Sequence, residues 1–192
     1  FISIVLYYNN PSDVEGTFRK SLFQVISLLT STGFATEDYT TWQPVTLGIL
    51  TILMLIGASA GSTSGGIKCI RVIIMAKISR NQFKRILHPN AVLPVRISKQ
   101  VISPSIQSTV LAFCSLYIAI IIVSTLILIS MGIGFEESIG CAISSLGNMG
   151  PGLSDFGPAY SWNALPEAAK WLLSFLMLLG RLELFTVLLL FT

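Results

Sequence analysis

Charge is scarce in this chain: only 11% of its 192 residues are Asp, Glu, Lys or Arg, against roughly 25% in a soluble domain. So few charges cannot clothe a water-facing surface. With 53% hydrophobic residues and a mean hydropathy of +0.77, an integral membrane protein is the default class. Histidine is nearly absent. The sole copy, His88, sits beside Pro89 in a basic stretch, and no nucleophile, base and orienting group can be assembled, which argues against an enzyme. Cysteine is sparse too: Cys69, Cys114 and Cys141 lie among apolar or small residues without paired spacing. That argues against a disulfide framework or zinc site and fits small apolar fillers. The net charge of +3 is too small to argue for nucleic acid, and no basic run is interleaved with aromatics. An initiating Met is missing, the first apolar run (Phe1–Tyr8) is too short for a span, and the chain ends inside an apolar run. The expectation is a piece of a larger protein, and no signal peptide can be argued.

What is present is a repeat. Phe18, Ser21, Ile26, Ser27, Leu29 and Gly33 recur as Phe135, Ser138, Ile143, Ser144, Leu146 and Gly150, each 117 residues later. Each copy is a short apolar helix candidate, about Thr17–Leu29 and Phe135–Leu146, running into a polar stretch that ends on glycine. Some 12 residues suit a half-membrane segment, since a span needs about 20. The repeat resumes farther on, where Leu53–Gly57 matches Leu176–Gly180 at a shift of 123, so a six-residue insertion separates the two registers. Three regions approach span length: about Trp42–Ile78, interrupted by Gly57–Gly66; about Ser105–Met131; and about Glu167–Thr192, with Arg181 and Glu183 inside it. Phe1–Tyr8 reads as the tail of a further span.

Charge placement orients the chain. Eight of the twelve basic residues fall between Lys68 and Lys99 with no acid among them, the mark of a cytoplasmic loop. That linker is either a plain solvated face or a docking surface for a partner or anionic lipid headgroups. The acids Asp13, Glu15, Glu37, Asp38, Glu136, Glu137, Asp155 and Glu167 flank the two short-helix loops. Those loops are therefore expected to enter from the outside, with an acidic mouth that concentrates cations.

Non-helical backbone survives in a bilayer only where it is buried in protein or lines water. Thr30, Ser31, Thr32, Gly33 and Phe34, and Gly147, Asn148, Met149, Gly150 and Pro151, are such stretches. An extended Gly/Ser/Thr backbone can turn its carbonyls inward to replace the hydration shell of a monovalent cation. The preceding helix points its partly negative end at the same place. An ordinary pair of Ser/Gly turns is the bland reading of one loop, and the duplication weighs against it. Gly147 competes with Gly150 as the partner of Gly33, but that register loses the six coincidences.

Gly57, Ala58, Ser59, Ala60, Gly61, Ser62, Thr63, Ser64, Gly65 and Gly66 interrupt an apolar helix near mid-membrane. Facing lipid, their unsatisfied backbone groups would each cost several kcal/mol, so the stretch is expected to face a cavity and to move as a plug. A phosphate-binding loop fails here because Ile67 separates Gly66 from Lys68 and no strand precedes it. A helix-packing motif on Gly57 and Gly61 stays open. Arg181 follows the matching Gly180. A charge there costs at least about 2.5 kcal/mol on insertion scales, so it faces a pore or ties helices together; Glu183 at i+2 is not on its face.

Thr30–Phe34, the Gly57–Lys68 segment, Gly147–Pro151 and the Gly180-Arg-Leu-Glu string together resemble the Trk/Ktr/HKT superfamily of potassium transporters, nearest its TrkH type. The resemblance implies an all-α integral membrane fold of repeated units, each a membrane helix, a pore helix, a filter loop and a membrane helix. It places the third such repeat at 1–80 (pore helix 17–29, filter 30–34, broken helix 42–78), a basic linker at 81–101, and the fourth repeat at 102–192 (helix 105–131, pore helix 135–146, filter 147–151, helix 167–192). It implies potassium uptake across a bacterial inner membrane, with potassium held by the carbonyls of Thr32, Gly33, Met149 and Gly150. Gly57–Gly66 and Arg181 become the gate. The implied partners are earlier repeats of the same polypeptide, a second copy in a dimer, the bilayer, and a cytosolic TrkA-type nucleotide-binding regulator; no other cofactor is implied. A sodium- or proton-coupled secondary transporter is the alternative.

Overall fold

Ser103 and Pro104 begin the longest helix. The serine hydroxyl oxygen accepts a hydrogen bond from the Ile106 N–H at 3.4 Å, and proline suits the first helical position, where its missing N–H costs nothing. The helix, α5 (Pro104–Ser130), ends where Gly132 turns left-handed (φ 87°). There Gly132 N–H bonds Ile129 O at 2.9 Å and Ile133 N–H bonds Leu128 O at 3.4 Å, the paired closure that satisfies a helix's last carbonyls. Its most apolar 18-residue window has a mean hydropathy of 2.7. At about 1.5 Å per residue it is about 40 Å long, more than the roughly 30 Å hydrocarbon core. Among the described residues α5 is the one helix long and apolar enough to cross a membrane by length and composition, where the sequence suggests three regions.

The computed structural model describes residues 2–9, 14–59, 61–62, 65–88, 93–97 and 100–182. Ala60, Thr63, Ser64, Lys99, Glu183 and the rest of 183–192 lie outside the described residues. The chain is mostly helical. In the first unit, α1 (Ile2–Asn9) packs on α2 (Val14–Leu29), which packs on α3 (Pro44–Leu55). The Ser3 and Ser21 hydroxyls join α1 to α2 at 2.6 Å. The expected run from Trp42 to Ile78 is two helices. After α3, where the sequence suggests no strand, the chain forms a two-residue strand, β1 (Ile56–Gly57), and a second, β2 (Ile67–Lys68), comes before α4 (Cys69–Leu87). The two strands pair in parallel, Ile56 with Ile67 and Gly57 with Lys68.

α4 continues to Leu87, well into the expected linker. The linker folds back on it: Lys77 Nζ donates to Arg96 O at 2.6 Å and Asn81 Nδ2 to Leu93 O at 3.2 Å. A small hairpin, β3 (Arg96–Ile97) with β4 (Gln100–Val101), precedes α5. The Arg71 guanidinium lies 3.8 Å from the Phe113 ring centroid and fastens α4 to α5 by a cation–π contact.

The second unit is α5, α6 (Phe135–Gly147) and α7 (Glu167–Arg181). α6 packs on α5, α7 and also α3, which makes it the centre of the fold. Ser138 and every residue from Gly140 to Gly147 are buried. Seven of these nine are Gly, Ala, Ser or Cys, small enough to let neighbouring backbones approach. Gly140 shows the closeness: a Cβ there would lie 2.7 Å from Leu153 N. Its counterpart α2 is less enclosed, with Phe18 and Ile26 half exposed.

Candidate functional site

The two short helices end in the same way. At the end of α2, Ser31 N–H bonds Leu28 O at 3.1 Å and Thr32 N–H bonds Ser27 O at 2.9 Å. At the end of α6, Asn148 N–H bonds Ser145 O at 3.2 Å and Met149 N–H bonds Ser144 O at 3.0 Å. Every donor and acceptor here is matched at the 117-residue offset. The pivot residues Ser31 (φ 55°) and Asn148 (φ 54°) are both left-handed, and two residues later so are Gly33 (φ 76°) and Gly150 (φ 109°). Glycine occupies that region without the Cβ penalty other residues meet. The matched serines brace the loops: Ser27 Oγ donates to Phe34 O at 2.6 Å, and Ser144 Oγ accepts from Gly150 N at 3.2 Å. Thr30 and Thr32 share a hydroxyl contact of 2.7 Å.

The expected second stretch starts at Gly147, but in the structure Gly147 is the last residue of α6. The helix closes one residue later because Asn148 takes the left-handed conformation. Its amide Nδ2 donates to Met177 O on α7 at 3.1 Å, so Asn148 faces a neighbouring helix as well as the loop.

The fold brings the loops together. A Cβ on Gly33 would overlap the Met149 carbonyl oxygen and lie 3.1 Å from its carbon and 3.2 Å from Pro151 Cδ. A cavity of about 380 Å³ adjoins this seam, lined by Gly33, Phe34, Ala35, Gly150 and Pro151 with Gly157, Pro158, Tyr160 and Trp162. Among the described residues, no group of three or more His, Cys, Asp or Glu could hold a metal ion.

Tyr39, absent from the residues singled out in the sequence, also joins the two units. Its buried hydroxyl donates to Gly152 O at 2.8 Å, across 113 residues. Burial, reinforced by the Asp38 carboxylate, pushes its pKa well above the ordinary phenol value, so it stays a donor. A signal existed: Asp38-Tyr39 and Asp155-Phe156 coincide at the 117-residue offset.

The described residues of the Gly57–Gly66 loop are anchored at its base. Cys69 N–H bonds Ala58 O at 3.2 Å, Cys69 Sγ donates to Gly57 O at 3.1 Å, and Ser62 N–H bonds Ser59 O at 3.0 Å. Gly57, Gly65 and Gly66 are buried, whereas Ser59 and Gly61 are exposed. Gly65 abuts the end of α6, where a Cβ would lie 2.6 Å from the Gly147 carbonyl carbon. From the other side Gly180 abuts the same end: a Cβ there would lie 2.8 Å from Asn148 Nδ2 and 2.9 Å from the Leu146 carbonyl carbon. The loop and the end of α7, where Arg181 is the last helical residue, thus converge on residues 146–148.

A family model described as "TrkH: Cation transport protein" matches residues 8–192. The chain belongs to the TrkH family. It is 36% identical over 192 residues to the Trk system potassium uptake protein TrkH of Escherichia coli (strain K12), covering 99% of this chain and 39% of that protein. Against the Trk system potassium uptake protein TrkG of the same organism it is 34% identical over 190 residues, again 99% and 39%. Among solved structures, the potassium transporter TrkH from Vibrio parahaemolyticus superposes with a TM-score of 0.91 at 31% identity, covering all of this chain and 41% of that one. The chain thus spans about two fifths of the length of these TrkH-family relatives. Membership of a cation-transport family sets the enzyme reading aside, and agrees with a membrane location for α5.

Proposed function

We propose that this chain contributes two loops of a potassium-selective pore that mediates potassium uptake across the plasma membrane. The observation that carries the reading is the matched pair of loops, left-handed at the same two positions (Ser31 and Gly33, Asn148 and Gly150) and in contact where Gly33 meets Met149 O. Carbonyls of Thr32, Gly33, Met149 and Gly150 would replace water around potassium, at the partly negative ends of α2 and α6. Units 1–80 and 102–192 would be the third and fourth of four repeats, joined by a cytoplasmic linker at 81–101. Both loops would enter from the outside. Support for this parallel arrangement comes from the segments beyond the loops, which also lie together through Tyr39 and Gly152; inverted repeats of a coupled transporter would send them apart. A second copy, earlier repeats and a TrkA-type regulator on the basic linker complete the proposed assembly.

Flux of the full-length protein in liposomes tests this, with potassium, rubidium and sodium measured separately and no other gradient. Potassium and rubidium should pass well ahead of sodium. Uphill accumulation that depends on sodium or protons would favour coupled transport instead.

The gate is assigned to the Gly57–Gly66 loop with Arg181, because Gly65 and Gly180 meet the same end of α6. A guanidinium near the pathway repels a cation and adds to its barrier, and each 1.4 kcal/mol removed raises flux about tenfold. Arg181→Ala should therefore raise potassium flux about tenfold in liposomes. Unchanged flux and unchanged regulation would make Arg181 a structural tie.

A further inference from the structure

The geometry points to Tyr39 as a positioning residue for selectivity, its hydroxyl holding the outer end of the Gly147–Pro151 loop to the first unit. The inference rests on the pore reading above. Tyr39 is fully buried, and its donation to Gly152 O at 2.8 Å grips the residue immediately after Pro151. Gly152 is held from its other side as well, its N–H donating to Phe156 O at 2.8 Å. A Cβ on Gly152 would lie 2.9 Å from that oxygen, so this close turn is reserved for glycine.

The turn that carries Tyr39 is itself braced. Asp38 Oδ1 accepts from Thr40 N at 3.0 Å and Thr40 Oγ1 at 2.5 Å, and Gly157 of the second unit lies against the Thr40 methyl. The first unit therefore grips the second at two places beyond the loops: Tyr39 on Gly152 and Thr40 on Gly157. Ser144 holds the Met149 and Gly150 N–H groups, which anchors the inner end of the loop on its own helix and leaves its distance from the facing loop to contacts between the two units. Gly33 sets a lower limit by contact, and the Tyr39 hydroxyl supplies the opposing pull that keeps the loops from spreading.

The repeat makes the device asymmetric. At the matching position the second unit has Phe156, buried but without a hydroxyl. Phe156 can pack but cannot donate, so the seam between these two units carries a polar lock that Phe156 cannot supply in turn. A spread loop admits a smaller ion with its water retained, so loss of the lock should show in ion discrimination.

The test uses the full-length protein in liposomes, with potassium and sodium flux measured separately alongside thermal unfolding in detergent. Tyr39→Phe keeps the ring and removes only the donor. The potassium-to-sodium flux ratio should fall about two- to tenfold, the span that one neutral hydrogen bond is worth as an equilibrium factor. 4-Aminophenylalanine in place of Tyr39 restores a donor and should recover the ratio, whereas 4-fluorophenylalanine should not. An unchanged ratio in Tyr39→Phe, or equal impairment by the amino and fluoro replacements, overturns the inference. A wild-type protein that passes no potassium would instead overturn the pore reading on which it rests.

Discussion

Gly33→Ala is expected to abolish discrimination between potassium and sodium in the full-length protein. Two separate obstacles act at this residue. Its φ of 76° costs an L-residue about 1–2 kcal/mol. The new methyl would also overlap Met149 O and crowd Pro151 Cδ at 3.2 Å, and overpacking of this kind costs about 1–3 kcal/mol. Met149 O belongs to the backbone of the facing loop, so relief requires moving that loop. Since about 1.4 kcal/mol is tenfold in a rate, the sum is enough to erase the preference of a carbonyl site. Separate potassium and sodium fluxes in liposomes measure it, and an unaltered ratio would place selectivity elsewhere. Gly150→Ala sharpens the test. It carries the conformational penalty, with φ at 109°, but among the described residues nothing lies within 4 Å of the added Cβ. If another loop of the full-length protein covers Gly150 as Met149 covers Gly33, the two substitutions should be equally damaging.

The loops were readable in the sequence because the repeated positions do repeated work. Ser27 and Ser144 accept the matched Thr32 and Met149 N–H groups at their carbonyls, Leu29 and Leu146 sit in the last turns, and Gly33 and Gly150 accept a left-handed backbone. Identity at a fixed offset reports such shared local geometry directly. The break at Gly57–Gly66 was readable for a similar reason, because ten residues so rich in glycine and serine cannot continue an apolar helix. The partnerships between units were not readable. Tyr39 and Gly152 are 113 residues apart, and neither residue type announces the other. The length of α4 was hidden as well: the chain from residue 81 reads as a basic linker, but the helix runs on to Leu87, and Lys77 and Asn81 bond the returning chain. The exit of α6 was misplaced by one residue, since a glycine looks like the end of a helix and the left-handed turn is taken by Asn148 instead. Gly57 and Gly180 match in sequence, yet their surroundings differ. Gly57 faces Gly65, where a Cβ on Gly57 would lie 3.5 Å from the Gly65 carbonyl carbon, while Gly180 faces Leu146 and Asn148.

Gly48 and Gly180, both inside helices, are expected to respond to alanine with opposite sign. In an unobstructed helix interior, glycine to alanine stabilises by about 1 kcal/mol. Gly48 in α3 is such a site, since an added Cβ meets nothing within 4 Å among the described residues, and Gly48→Ala should leave thermal stability unchanged or raise it. Gly180→Ala should do the opposite. Its methyl would overlap the Leu146 carbonyl oxygen and lie 2.8 Å from Asn148 Nδ2. The oxygen is part of a buried helix that cannot yield. The amide is already committed to Met177 O, so moving it releases the contact that ties the end of α6 to α7. The expected loss is about 1–3 kcal/mol, read as earlier thermal unfolding of the full-length protein in detergent. Flux should change in the same variant, because Arg181 follows Gly180 directly and must move with α7. If Gly180→Ala proved as stable as Gly48→Ala, α7 could slide along α6 at little cost, and the position of Arg181 would then be set by its own side-chain partners rather than by this backbone contact.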